Sequence, residues 1–156
     1  MQMFDVVVVG GGPAGGQCAR ELAKRGRSVL LVERHKDFMI NSFSSAGTPI
    51  EALQTFDLPE IVIGSYWNAL RIITSNQSGV WESESPQGAV LDFSKLRDFL
   101  AAETRSHGGE VWMGYRYASH QSAEGKTLVS LRQTATNDET IVSTSVLVDA
   151  TGPARA

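Results

Sequence analysis

A glycine-rich turn near the start of the chain limits its fold more than any other feature. The stretch Asp5 to Val9 is short, apolar and β-branched, as expected of a parallel strand buried on both faces. Gly10-Gly-Gly-Pro-Ala-Gly15 follows it directly, and Pro13 to Arg25 then carries helical spacing. Ser28 to Val32 predicts a second strand, and Glu33 closes it roughly 20 residues beyond the turn. Strand, glycine turn, helix, strand and acidic residue in this order form the βαβ fingerprint of a dinucleotide site.

Each residue type has a physical reason to be there. Gly10 permits the tight turn out of the strand, Gly12 lets backbone approach a pyrophosphate, and Gly15 lets the helix pack closely on the strands. Pro13 suits the first helical turn, where its missing N–H is expendable. The helix N-terminus offers unpaired N–H groups and the positive end of its dipole. Glu33 can accept both ribose hydroxyls of an adenosine and would repel a 2′-phosphate, which favours FAD or NAD over NADP. Arg34 is expected on the opposite side of the strand end. A glycine turn alone could be a tight strand–helix connection with no ligand; here five features agree.

Within the helix, Ala14, Cys18 and Leu22 recur every fourth residue and are expected to face the sheet. Gly26, flanked by Lys24, Arg25 and Arg27, fits the helix end. His35 to Trp67 is irregular, with Ile50 to Phe56 as a short helix. Leu70 to Thr74 and Gly79 to Glu84 predict a strand pair around the turn Asn76 to Ser78. Ser94 is a candidate N-cap for a helix with Leu96, Phe99 and Leu100 inward, closed by Gly108 and Gly109. Glu110 to Ala118, Thr127 to Thr134 and Thr140 to Val148 are expected to form an antiparallel meander. The fold class is therefore α/β: a Rossmann-type parallel sheet with a β-meander added.

Other chemistries find little support. The 156 residues carry a net charge of -3, so no basic field favours nucleic acid. Apolar content of 42% and charged content of 20% are ordinary for a globular protein. No apolar run is long enough to span a bilayer, and a cytoplasmic location is expected. The lone Cys18 excludes an internal disulfide and is read as a buried small hydrophobe. His35, His107 and His120 lie far apart with no zinc-like spacing, so no metal is expected. Trp81 and Trp112 fall in strand-like runs and are assigned to sheet packing. Ser44 and Ser45 have no Ser–His–Asp partner set.

A simple NAD-dependent dehydrogenase would continue with alternating strands and helices. This chain instead runs through a long loop, a strand pair, one helix and a meander, and returns with Leu147-Val-Asp-Ala-Thr-Gly152. Here the sequence resembles the FAD-dependent oxidoreductases that include geranylgeranyl reductases, aromatic-ring hydroxylases and flavin halogenases. The markers are Gly10 to Gly15, Glu33-Arg34 and Asp149-Ala-Thr-Gly152, and the resemblance covers nearly the whole chain.

The resemblance implies that Gly10, Gly12 and Gly15 frame the FAD pyrophosphate, that Gly11, Pro13 and Ala14 line the same turn, and that Glu33 binds the ribose. It implies that Ser44 to Thr48, with Ser45, runs beside the ribityl chain and the isoalloxazine. It places the backbone of Tyr117 against adenine, and Ala150, Thr151 and Gly152 close to the cofactor. Two departures stand out. Phe93 occupies the place where many hydroxylase-like members carry an arginine before the second helix, which leaves phosphate neutralisation less complete. Gly16-Gln17 stands where halogenases often carry tryptophan.

The chain is thus expected to be the N-terminal portion of an FAD domain, with the rest of that domain and a substrate domain following Ala156. The parent activity implied is flavin-dependent redox chemistry, geranylgeranyl-reductase-like, on an isoprenoid double bond or an aromatic small molecule. The alternatives are an FAD-dependent monooxygenase or halogenase, an NAD-dependent dehydrogenase and a non-catalytic nucleotide-binding fragment. No catalytic side chain is visible.

Overall fold

The computed structural model describes residues 1–40, 42, 46–123 and 125–154. The chain packs as two compact units: 1–40 with 97–156, and 41–96.

The first unit begins as the sequence predicts. Strand β1 (Met3–Val9), helix α1 (Pro13–Lys24) and strand β2 (Val29–Glu33) form a parallel βαβ unit, with Val6 to Val9 in register with Val29 to Val32. Gly26, at φ +71°, ends the helix as expected. The second unit contains β3 (Gly47–Pro49), α2 (Ile50–Thr55), β4 (Ile63–Trp67), β5 (Ala69–Ile73), β6 (Ser78–Glu82) and β7 (Gly88–Leu91). There β3 and β4 flank β7, while β5 and β6 pair as a separate hairpin, Leu70 opposite Trp81. Trp81 does not serve sheet packing as expected, because its hairpin face is uncovered and it is 59% exposed.

Helix α3 (Phe93–Ser106) leads back into the first unit. Its N-terminal hydrogen-bond acceptor is Asp92 rather than the expected Ser94. Asp92 Oδ1 accepts the Lys95 N–H at 3.1 Å and the Ser94 hydroxyl at 2.8 Å. Four strands follow: β8 (Glu110–Met113), β9 (Tyr115–Ala123), β10 (Lys126–Gln133) and β11 (Glu139–Asp149). The expected meander holds for β9, β10 and β11. The run from Glu110 to Ala118, however, breaks at Gly114, where φ is +75°. Its first part, β8, pairs parallel with β2 instead.

The six strands order as β8-β2-β1-β11-β10-β9. Strand β11 belongs to both halves. Residues 139–144 pair antiparallel with β10, and residues 143–149 pair parallel with β1. That shared strand lets the meander turn over one face of the parallel strands. Phe4, Val7, Val9, Leu30 and Val32 face Val129, Leu131 and Val142 across this interface. The alternate residues Val6, Val8, Val29 and Leu31 face Ala19 and Ala23 of α1 on the other side. Burial on both faces is why β1 and β2 are unbroken apolar runs. Each fully buried Val or Leu here contributes about 1.5–3 kcal/mol.

The buried side of α1 is rotated from the expected stripe. Gly15, Gly16, Ala19, Arg20 and Ala23 are buried, Cys18 and Leu22 sit at the margin of the core, and Ala14 is exposed. The reason is a second neighbour: α1 is packed by α3 as well as by the sheet. A Cβ on Gly16 would lie 3.0 Å from Leu100 Cβ, so glycine sets how near the two helices come.

Candidate functional site: a nucleotide turn at the strand ends

The parallel strands leave their carboxyl ends at one edge, where β1 and β11 lie side by side and their connections diverge. Open α/β sheets bind ligands at such a point. The structure brings Gly10 to Gly15, Glu33 and Ala150 to Gly152 together here. Gly10 N–H donates to the Val32 carbonyl at 2.8 Å, and Ala150 N–H donates to the Val9 carbonyl at 2.8 Å. These two bonds tie the turn to both neighbouring strands.

Two glycines are required by packing against backbone, and a third is crowded by side chains. Gly10 has φ +110°, and a Cβ on it would lie 2.4 Å from the Ala150 carbonyl oxygen. A Cβ on Gly15 would lie 2.0 Å from the Gly10 carbonyl oxygen. A Cβ on Gly11 would meet Glu33 Oε2 and Phe38 Cε1, both at 2.9 Å. Gly12 is different: it has an ordinary φ of -73°, and among the described residues no atom beyond its chain neighbours lies within 4 Å of its Cβ position. No described residue demands glycine there, while a ligand seated on the helix end would.

Gly12 is also the N-cap of α1, and among the described residues no side-chain hydrogen bond caps that helix. Pro13 takes the first helical positions, as the sequence predicts. The helix therefore presents uncapped backbone donors and its positive dipole end beside an open approach, which fits a pyrophosphate.

Glu33 is 7% exposed at the end of β2. Its Oε2 accepts the Gly11 N–H and its Oε1 accepts the His35 N–H, both at 2.9 Å. Each carboxylate oxygen retains a second acceptor site for a hydroxyl. Arg34 is exposed, and its Nε donates to His35 Nε2 at 3.3 Å.

At the end of β11, Asp149 Oδ1 accepts the Thr151 N–H at 2.9 Å and the Thr151 hydroxyl at 2.6 Å. Gly152, at φ +69°, starts a short 3-10 helix, Gly152–Ala154. Tyr117 lies on β9 against the core, with its hydroxyl 2.7 Å from His120 Nδ1. Ser45 and Ser44 lie outside the described residues; of their loop, Ala46 has φ +38°, and Gly47 and Thr48 enter β3. Among the described residues no group of His, Cys, Asp and Glu is placed to hold a metal.

Sequence reasoning missed two side chains behind the turn. Phe38, 3% exposed, packs its ring edge against Gly11. Arg97 of α3, 5% exposed, lies over the face of that ring, 4.7 Å from Cζ to the centroid. Its Nη1 donates to the Ile40 carbonyl at 3.4 Å. Burial pushes the Arg97 guanidinium below its ordinary value, while Glu33, Asp98 and Asp37 favour its charge. Only its helical position was available in the sequence.

The comparisons with known proteins agree with this geometry. The family model for FAD-dependent oxidoreductases matches residues 5–155. The chain belongs to the FAD-dependent oxidoreductase family. Within it, the chain is 32% identical to digeranylgeranylglycerophospholipid reductase of Haloferax volcanii, over 96% of this chain and 36% of that protein. It is 31% identical to an aklavinone 12-hydroxylase of Streptomyces peucetius, over 97% of this chain and 36% of that protein. A solved structure of a geranylgeranyl bacteriochlorophyll reductase-like protein from Thermoplasma acidophilum superposes with a TM-score of 0.83 at 26% identity. It covers 97% of this chain and 40% of that one. This FAD-dependent oxidoreductase chain thus spans a little over a third of the length of the curated relatives it matches. FAD is the cofactor of the family, and the expected α/β FAD-binding fold is the one observed.

Proposed function

We propose that this chain is the FAD-binding portion of a flavin-dependent reductase acting on a carbon–carbon double bond of an isoprenoid. The observation that carries the binding half of this reading is Gly12. It is a helix N-cap with no side-chain cap, no backbone need for glycine and open space where a Cβ would stand. In this reading Gly10, Gly11, Gly12, Pro13, Ala14 and Gly15 surround the pyrophosphate, and Glu33 accepts the adenosine ribose hydroxyls. Arg34 follows Glu33 at the strand end, Tyr117 supplies backbone beside adenine, and Thr151 and Gly152 approach the rest of the cofactor.

Bound FAD supplies two-electron redox chemistry, as a hydride carrier in reductases and as an oxygen activator in hydroxylases. The protein's own part, in this portion of the chain, is to bind and orient. The uncapped end of α1 meets phosphate charge, and Glu33 fixes the adenosine end. The reductase assignment is supported by the Haloferax relative and by the Thermoplasma structure. The aklavinone hydroxylase, nearly as similar over the same span, supports a monooxygenase as the second reading. The location proposed with either reading is the cytoplasm. No helix among the described residues is long and apolar enough to cross a membrane.

The test is to incubate the flavin-loaded protein with a geranylgeranyl lipid and dithionite. Product that has gained two hydrogens without oxygen supports the reductase. Product that gains an oxygen atom when the reduced protein, freed of excess dithionite, is mixed with oxygen supports the monooxygenase. Tight FAD binding with neither product supports a nucleotide-binding module.

A further inference from the structure

We propose that Arg97 is a positioning residue of the nucleotide site, holding Phe38 behind the glycine turn and balancing the charge of Glu33 beside it. The proposal rests on the nucleotide-binding reading above. The physical chain is short. Gly11 N–H is bonded to Glu33 Oε2, and the space a Gly11 Cβ would need is filled by Glu33 and Phe38. The Arg97 guanidinium covers the other side of the Phe38 ring and bonds the Ile40 carbonyl. Phe38 is thereby clamped between α3 and the turn, beside the Glu33 carboxylate and its two backbone donors.

Charge gives the second reason. Glu33 is buried, and Glu33, Asp98 and Asp37 favour the charged form of the guanidinium. A diphosphate approaching this turn adds further negative charge. Arg97 is a buried cation of α3, and a guanidinium both stacks on a ring and stays charged when buried.

The test uses the whole chain as wild type, Arg97→Lys and Arg97→Met. ADP and adenosine binding are followed by calorimetry, FAD binding by fluorescence, and amide hydrogen exchange is measured without ligand. Arg97→Met is expected to weaken ADP and FAD by about tenfold, the scale of one contact to a charged group. Adenosine should weaken less. Arg97→Lys should recover part of the loss for ADP, since it keeps charge but not the stacked plane. In the ligand-free protein, Arg97→Met should speed exchange at the Gly11 and His35 amides while exchange in β1 and β2 stays slow.

Unchanged exchange at Gly11 and His35 would overturn the clamp, whether or not the wild type binds nucleotide. Equal losses for adenosine and ADP, with no recovery in Arg97→Lys, would overturn the charge role. Failure of the wild type to bind ADP or FAD would sink the nucleotide reading instead, and with it the role assigned to Arg97 there.

Discussion

At the scale of single residues, the glycines of the turn separate into two kinds. Gly10 and Gly15 are required by the protein itself, because a methyl at either would collide with backbone carbonyl oxygen. Gly12 is not. Gly15→Ala is therefore expected to destabilise the fold by about 3 kcal/mol or more, as overpacking against fixed backbone does. Gly12→Ala should change stability by no more than about 1 kcal/mol, the scale of an N-cap change, yet weaken FAD at least about tenfold through crowding of the pyrophosphate. Urea denaturation and FAD titration of both variants would check this. Equal stability losses, or unchanged FAD affinity in folded Gly12→Ala, would contradict it. The glycines and Glu33 were legible in the sequence because their demands are local and steric. Phe38 and Arg97 were not, since their roles depend on a helix more than 50 positions further along the chain.

At the scale of elements, misjudged details share a cause: local signals were ambiguous until tertiary neighbours chose between them. Asp92 and Ser94 are both good N-cap residues, and the helix starts after the first. Bonds from the Lys95 N–H and the Ser94 hydroxyl hold the Asp92 carboxyl below its ordinary value. A group with a lowered folded value contributes its stability above the unfolded value and loses it as pH falls through the folded one. Asp92→Ala should therefore melt below wild type at pH 7, with the gap closing as pH drops below about 4. A gap as wide at pH 3 as at pH 7 would contradict the cap. Gly114 is the second case. Its run reads as one strand in sequence, yet the φ of +75° divides it between opposite edges of the sheet order. A Cβ there would meet only Thr134 Oγ1 at 3.6 Å, so space is not the obstacle. Gly114→Ala should cost about 1–2 kcal/mol through backbone conformation alone, read as a lower urea midpoint. An unchanged midpoint would place the break elsewhere. The stripe on α1 was misphased for a related reason, because a helix packed on two sides buries a wider face than the sheet alone selects.

At the scale of the whole molecule, the parallel β1–α1–β2 unit and the return of β11 to the nucleotide turn were visible in the sequence, whereas the place of β8 beside β2 was not. The division into two units was not visible. The segment 41–96 opens on a stretch rich in Ser, Gly and Pro, Ser42 to Pro49, which reads as a loop rather than a unit boundary, and the second boundary falls within the first turn of α3, where no linker composition marks it. Membership of the FAD-dependent oxidoreductases rests on a family match over residues 5–155 and agrees with the site geometry. The central claim is that the open, uncapped turn beside Glu33 takes FAD. It is tested most directly by titrating the purified chain with FAD, following flavin fluorescence, with NAD as competitor. The account predicts saturable FAD binding that excess NAD does not displace. A folded chain that binds NAD in preference, or binds neither nucleotide, would contradict it.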